Sequence, residues 1–398
     1  QASDVGDTGN ADNLGAGQGG ASATEQAAGR GARVRTGRPV EAGPEATALV
    51  RTLVRRLAVL ASSSSGGVSV AHVTAAVLCA GRVLAPARWA PDAAQHKVSG
   101  NSSSNHSGPM DSEDYAAISK LLAAVQSSLF VATPVQLGQL AQGLAYIAPP
   151  RTPGAAPPYG PWLADFMRVA QSKFLLMDAL QLSSVGWAAG KLGYQPGTLW
   201  LSGFETASLP LLKSMPSSAL AHLVWAAAQW DAPPSEAWVS EASRVALASL
   251  HKLQPAAVAC LMGGLTALRA PQPEKWSAAI AGRMVEQGGR ARPAQITEVL
   301  ACLLRMSSIV PPDEALLQGL TAAMSAHMQQ AGAYELASTL WSLACMSFCP
   351  PSRWLSDWAA CMQREVRGLN PAGVSMVLGA YARLRQRPPR QRAQNPLG

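Results

Sequence analysis

Tryptophan recurs along this chain at a nearly fixed interval of 38 residues. The positions that keep this interval, with one step of 40 residues before Leu316, are Trp162, Trp200, Trp238, Trp276, Leu316 and Trp354. A rare residue does not recur at one spacing by chance, and a fixed period of about 20 to 50 residues is the signature of a repeat array. The repeat, rather than a closed globular core, is therefore the unit from which this chain is built.

Each repeat opens with a helix start signal. Proline pairs or their remnants precede the marker residue, as in Pro233-Pro234 before Trp238 and Pro350-Pro351 before Trp354. A polar residue such as Ser235 follows, and its side-chain oxygen can cap the first turn of a helix. This pattern predicts a first helix of about 18 residues, for example over 236–253.

A second helix is predicted after a short turn that often contains proline. Its marker comes nine residues after the turn residue, and the intervals between markers are 38 or 39 residues after a first interval of 44. The markers are Gly143, Trp187, Trp225, Gly264, Cys302, Trp341 and Ala380. Because two independent markers share one period, each repeat is predicted to be one helical hairpin.

The predicted fold is all-α, an α-solenoid of about six to seven stacked 38-residue hairpins with disordered N- and C-terminal tails. The predicted regions are a low-complexity start at 1–43, a degenerate repeat or N-terminal helices at 44–133 with a loop near 86–110, the repeat array at 134–389, and a basic tail at 390–398. The low-complexity start has no aromatic residue and is predicted to be a solvated linker, with an arm that touches phosphates as the alternative.

The composition indicates which kinds of partner the chain favours and argues against a membrane-spanning helix. The chain of 398 residues has a net charge of +8, yet only 14% of its residues are charged. A modestly basic surface favours acidic partners such as nucleic acid or an anionic membrane. The longest apolar stretch, 256–268, is too short to span a bilayer. The chain begins with Gln1, which is expected for a processed chain or a fragment.

Catalytic and metal-binding patterns are not evident. The histidines have no metal-ligand spacing, the six cysteines lack the CxxC spacing of a zinc site, and there is no HExxH, GxSxG or P-loop. The cysteines are predicted to be small buried residues of a reducing compartment. We therefore expect no enzyme activity, no cofactor and no bound metal.

The repeat resembles that of the octotricopeptide repeat family. Family repeats are 38 residues long, open with Pro-Pro-x-x-Trp, and have a second helix of the form Leu-x-x-Leu-x-Trp-Ala-x-Ala-x-Leu. This chain has Pro350-Pro351-Ser-Arg-Trp354, and its second helices include Leu220-Ala-His-Leu223-Val-Trp225-Ala-Ala-Ala228 and Leu336-Ala-Ser-Thr-Leu340-Trp341-Ser-Leu-Ala344. The resemblance covers about 134–389, and the chain departs from the pattern at Leu316, Gly264, Cys302 and Ala380.

The resemblance implies sequence-specific binding of single-stranded organellar RNA in a green alga. Members of the octotricopeptide repeat family act in the stability, processing, splicing or translation of chloroplast transcripts, and some act in mitochondria. Other RNA-processing proteins are implied as further partners. Related FAST-kinase-like and RAP repeat proteins end in a small nuclease-like domain, and no such domain is evident here.

Basic residues recur shortly after the second-helix marker. They are predicted to contact the RNA backbone, and the candidates are Lys191, Arg269, Arg305, Arg383 and Arg385. Gln229 and Cys345 interrupt this series. The alternative is that these cations complement the dipole at the C-terminal ends of helices.

Polar residues early in the second helix are the candidates for contact with base edges. They are Gln139, Ser184, His222, Glu298 and Ser338. The recurring tryptophans could stack on bases, but packing between repeats explains their position beside the proline turn better. The alternative function is a protein-interaction solenoid that does not bind RNA.

Overall fold

The computed structural model describes residues 43–63, 67–84, 110–148 and 159–385. All of them belong to one compact unit, Glu41–Gly398. The low-complexity start before residue 43, most of the loop predicted near 86–110 and the tail predicted at 390–398 lie outside the described residues.

The described part of the chain contains sixteen α-helices and no β-strand, and the helices alternate between two layers. The first helices of the hairpins are α1 (Pro44–Ser62), α3 (Ser112–Val125), α5 (Gly160–Gln171), α7 (Thr198–Ser208), α9 (Glu236–Ala248), α11 (Pro273–Glu286), α13 (Glu314–His327) and α15 (Ser352–Glu365). The second helices are α2 (Val70–Leu84), α4 (Pro134–Ile147), α6 (Ala179–Leu192), α8 (Ser217–Ala227), α10 (Pro255–Ala267), α12 (Pro293–Met306), α14 (Ala333–Cys345) and α16 (Pro371–Arg385).

Each helix packs against the equivalent helix of the next hairpin. The even-numbered helices contact one another in sequence order from α2 to α16, and the odd-numbered helices do the same, directly or through the turn that ends them. Sequential contacts between neighbouring hairpins are the arrangement of a helical solenoid. The prediction of an all-helical fold is confirmed.

The first helices are shorter than predicted. The helix expected over 236–253 ends at Ala248, and a 3₁₀ turn at Leu250–Lys252 follows it. Equivalent 3₁₀ turns end the other first helices from α3 onward, at Gln126–Val131, Phe174–Leu176, Leu209–Ser214, Gly288–Arg290, Met328–Gln330 and Val366–Gly368. The tighter turn satisfies backbone carbonyls that the end of an α-helix leaves without a partner.

The spacing inside a hairpin is constant from α5 onward. The even-numbered helix begins 17 residues after the first-helix marker in all six hairpins: Trp162 and Ala179, Trp200 and Ser217, Trp238 and Pro255, Trp276 and Pro293, Leu316 and Ala333, Trp354 and Pro371. The two extra residues before Leu316 therefore lie between hairpins, in the 307–313 connection.

This spacing corrects the alignment of the second helices. Proline is the first residue of α4, α10, α12 and α16, whereas the turn residues Asp178, Pro216 and Gly332 are N-caps that precede α6, α8 and α14. Counting from the first helical residue, Trp187, Trp225 and Trp341 occupy position 9. The other predicted markers, Gly143, Gly264, Cys302 and Ala380, occupy position 10.

Position 10 is a buried packing position. It is occupied only by small residues: Gly143, Ala188, Ala226, Gly264, Cys302, Ser342 and Ala380. A Cβ added to Gly264 would lie 2.8 Å from the backbone nitrogen of Trp225, and one added to Gly143 would lie 2.8 Å from that of Leu78. Small residues at this position therefore allow neighbouring even-numbered helices to approach closely.

Candidate nucleic-acid interface

Three positions of the even-numbered helices define the candidate site. Positions 6, 9 and 13 are three or four residues apart, so their side chains lie on one side of each helix. We call this set, taken over α4 to α16, the even-helix stripe. Equivalent helices pack side by side, so the stripe continues from one repeat to the next.

Position 6 contains all five residues that the sequence predicts to contact bases. Gln139 is exposed, and His222 and Glu298 are half-buried. Ser184 and Ser338 are only 6% and 5% exposed, and the Ser184 hydroxyl donates a 2.8 Å hydrogen bond to the carbonyl of Leu180 in its own helix. The row also contains Cys260 and Met376, which a prediction based on polar residues does not include.

Position 9 is aromatic in three repeats. Trp187 is 5% exposed and lies between the Tyr146 ring, edge-on at 5.1 Å, and the His222 ring, stacked at 5.6 Å. Trp225 and Trp341 are half-buried. The remaining occupants of the row are Gln142, Gly263, Ala301 and Gly379.

His222 is a neutral ring at physiological pH. Burial, together with the positive charge of Lys191, lowers the pKa of His222 to about 3. The neutral imidazole has one donor and one acceptor nitrogen, so His222 is a polar but uncharged member of the stripe.

Position 13 places two cations over tryptophan rings of the neighbouring helix. The Lys191 amine lies 5.1 Å from the centroid of Trp225, which is in the next repeat. The Arg383 guanidinium lies 4.5 Å from the centroid of Trp341, which is in the preceding repeat. Both distances are within the range of cation–π attraction.

The third cation of the row is held differently. Arg305 is exposed, but its guanidinium lies 3.3 Å from the Glu298 carboxylate and donates to the Cys302 sulfur at 2.9 Å. Burial raises the pKa of the Cys302 thiol to about 12. The thiol therefore stays protonated, and this cluster has no nucleophilic thiolate.

The structure does not place Arg269 in the row of the other cations. Arg269 lies at position 15, beyond the end of α10, with a left-handed backbone at φ 51°. The true equivalent of Lys191 in that repeat is Ala267. The Arg385 side chain lies outside the described residues. Tyr146 occupies this row in α4. Burial raises the pKa of Tyr146, and the nearby charge of Arg82, a basic residue that the sequence does not predict as a candidate, partly offsets that rise.

The first-helix tryptophans are core residues. Trp162, Trp200, Trp238, Trp276 and Trp354 are all between 1% and 6% exposed. The indole N–H of Trp200 donates to the carbonyl of Met167 at 3.2 Å, and that of Trp354 donates to the carbonyl of Thr321 at 3.1 Å. Each of these bonds joins one odd-numbered helix to the preceding one, so these rings are not available for stacking on bases.

Among the described residues, no group of three His, Cys, Asp or Glu side chains is placed to hold a metal ion. No helix in the described ranges combines the length and apolar character needed to cross a bilayer.

The fold and the stripe together define a class: an all-helical repeat protein with a row of aromatic and cationic side chains along its second helices. Comparison with protein-family models gave no match. Comparison with the curated proteins also gave no match.

Proposed function

We propose that this protein binds single-stranded RNA along the even-helix stripe. The observation that carries the proposal is the contact between a cation at position 13 and a tryptophan at position 9 of a neighbouring even-numbered helix, made by Lys191 with Trp225 and by Arg383 with Trp341. Each pair presents an aromatic side chain and a cation side by side, and proteins that bind single-stranded nucleic acids combine these two kinds of group.

The chemistry of the stripe fits such a ligand. Aromatic side chains provide surfaces on which bases stack, each worth about 1–3 kcal/mol. Lysine and arginine neutralise phosphates and release counterions, so affinity falls as salt rises. Helical-repeat readers contact about one base per repeat, and the seven helices α4 to α16 would then cover roughly seven nucleotides.

The charge balance of the stripe favours a polyanion. Its positively charged members are Lys191, Arg305 and Arg383, and its negatively charged member is Glu298. The whole chain is also basic, with a net charge of +8. Charges of this sign increase the rate at which a nucleic acid encounters the protein.

The octotricopeptide resemblance supplies the biological part of the proposal. It suggests that the RNA is an organellar transcript, of the chloroplast or alternatively the mitochondrion, in a green alga. The protein would then act in RNA stability, processing, splicing or translation, with other RNA-processing proteins as partners. The repeat pattern from Trp162 to Ala380 supports this part of the proposal.

The test is a selection from a random single-stranded RNA pool with the full chain at two salt concentrations. We expect a short enriched motif whose affinity falls with salt. Lys191→Ala and Arg383→Ala should each weaken binding and reduce the salt dependence by about one counterion. Lys275→Ala and Arg353→Ala are matched controls, because both residues are exposed on odd-numbered helices.

One observation favours a second function, a protein-interaction scaffold. The 3₁₀ turns after α3 and α5 expose apolar side chains, with Phe130 and Val131 at 68% and 61% and Leu175 and Leu176 at 83% and 72%. The equivalent residues after α7, Lys213 and Ser214, are polar. A helical protein that binds no RNA at low salt would refute RNA binding and favour this scaffold function.

A further inference from the structure

The even-helix stripe is interrupted at α10. This helix contributes Cys260, Gly263 and Ala267 at positions 6, 9 and 13, so it has neither the aromatic ring nor the cation of other repeats. A Cβ added to Gly263 would meet only one side chain within 4 Å, that of Glu298, whose Oε1 would be 3.2 Å away. The Glu298 carboxylate therefore lies against the half-buried surface of Gly263, and no other side chain lies within 4 Å of that point.

The helices on either side provide different chemistry. On one side, α8 presents the half-buried Trp225 ring. On the other side, α12 presents the half-buried Glu298 carboxylate, which lies 3.3 Å from the Arg305 guanidinium. We call the surface formed by Gly263, Glu298 and Arg305, with Trp225 on the neighbouring helix α8, the Gly263 notch. Because α10 has only small side chains at its stripe positions, a nucleobase that contacts the Glu298 carboxylate can lie over this helix.

We infer that the Gly263 notch binds a guanine base of single-stranded RNA, an inference that rests on the proposed function. An ionised carboxylate can only accept hydrogen bonds. Guanine is the one common RNA base that presents two adjacent donors, N1–H and the N2 amine, on its Watson–Crick edge. Glu298 accepts from both, and Arg305 can donate to the neighbouring O6.

The other bases place an acceptor against the carboxylate. Adenine and cytosine each present a ring nitrogen acceptor beside a single amine, and uracil presents one N–H between two carbonyl oxygens. Leaving the Glu298 carboxylate partly desolvated against such an acceptor costs more than the lost hydrogen bond alone. A preference for guanine of about ten- to hundred-fold follows from a hydrogen bond to a charged group.

The first experiment removes the charge of the acceptor. The full chain and its Glu298→Gln variant are each used in selection from a random single-stranded RNA pool, with Glu274→Gln as the control because Glu274 is exposed on α11. The wild type and the control should both select a motif with an invariant guanine. Glu298→Gln should lose the preference at that one position and keep the rest of the motif, because glutamine can also donate.

The second experiment removes one donor from the base. The selected RNA is synthesised with inosine, which lacks the N2 amine, in place of the invariant guanine. Wild-type protein should bind the inosine RNA about ten-fold more weakly than the guanine RNA, whereas Glu298→Gln should bind the two RNAs with similar affinity. Circular dichroism checks that the variant is folded.

A third variant changes the shape of the notch without changing charge. Gly263→Ala places a methyl group against the Glu298 carboxylate and should weaken the same guanine preference, whereas Gly282→Ala on α11 adds a methyl group in open space and should not. A selected motif whose guanine preference survives both Glu298→Gln and Gly263→Ala, or a motif without guanine, would overturn the inference and leave RNA binding intact. Failure to select any motif would instead refute the proposed function.

Discussion

The indole N–H of Trp238 donates a 2.9 Å hydrogen bond to the hydroxyl of Ser208, and both side chains are buried. Trp238 is in α9 and Ser208 is the last residue of α7, so this bond joins two consecutive hairpins. Because the stability of a solenoid depends on the interfaces between neighbouring repeats, a contact of this kind should affect how far unfolding spreads along the chain.

We expect Ser208→Ala to destabilise the α7–α9 interface by about 1–3 kcal/mol, since it leaves a buried indole donor without its acceptor. Urea unfolding followed by tryptophan fluorescence measures the change. Ser202→Ala, at an exposed position of the same helix, should change stability by less than about 0.5 kcal/mol. Equal effects of the two substitutions would show that the bond contributes nothing.

Adjacent glycines of α10 should respond in opposite ways to alanine. Gly264→Ala brings a Cβ within 2.8 Å of backbone atoms of Val224 and Trp225, and backbone cannot move aside as a side chain can. We expect a loss of about 1–3 kcal/mol from overpacking. Gly263→Ala meets only the end of the Glu298 side chain, which can shift more easily than backbone, and should be neutral or stabilising by up to about 1 kcal/mol. Thermal unfolding of the two variants is the measurement, and a larger loss for Gly263→Ala would contradict the packing of α8 on α10.

Arginines on α1 should differ in how strongly they hold that helix to the array. Arg55 donates to Asp114 at 2.9 Å and to Asp111 at 2.7 Å, and the Asp114 side chain is only 1% exposed. Arg56 is exposed. We therefore expect Arg55→Ala to increase the amide hydrogen exchange of α1, and Arg56→Ala to leave it unchanged. The prediction fails if exchange in α1 responds equally to both substitutions.

Low pH should destabilise the packing of α1 against α3. The backbone N–H of Asp114 and the Arg55 guanidinium lower the pKa of Asp111 below its usual 3.8. A carboxyl whose folded pKa is lowered contributes stability above its unfolded value, and this contribution is lost as pH falls through the folded pKa. Exchange in α1 should therefore accelerate below about pH 4 in the wild type, and Asp111→Asn should remove part of that acid dependence.

His222 should make α6 and α8 sensitive to acid in a higher pH range. Its pKa is lowered from 6.5 to about 3 by burial and by the charge of Lys191. The unfolded chain binds a proton between these values while the folded chain does not, so stability decreases as pH falls from 6.5 towards 3. Urea midpoints at pH 7.5 and pH 5 should differ less for His222→Phe, which keeps a ring on Trp187, than for the wild type. An identical drop in both proteins would show that another group is responsible.

The period and the hairpin could be predicted from the sequence because the marker tryptophans are buried at one recurring contact. The register of the second helices could not, since proline is tolerated at the first helical residue as well as at the N-cap that precedes it. Pro255 is the first helical residue of α10, whereas Pro216 is the N-cap that precedes α8. Only the backbone conformation distinguishes them, and one residue of error rotates a side chain by about 100° around the helix.

The sequence predicts position 6 of the candidate site in the observed register, but it misplaces one cation of position 13. The five residues predicted to contact bases all lie at position 6, because a polar residue early in the second helix is a pattern visible in the sequence. The basic series was selected by charge, so Arg269 entered it although Ala267 occupies that position in its repeat. Burial of Ser184 and Ser338 depends on how closely neighbouring helices approach, and a single repeat sequence does not contain that information.

The constant 17-residue spacing within hairpins has a consequence for how such a gene can change length. The chain has two extra residues in the 307–313 connection, and the hairpins on either side keep their internal spacing. Unequal recombination with both breakpoints in connections between hairpins would add or remove about 38 codons. It would then duplicate or delete one whole hairpin. Every surviving stripe residue would keep its position within its own helix. If the stripe binds RNA as proposed, the bound segment would become one nucleotide longer or shorter, and the contacts of the remaining repeats would not change.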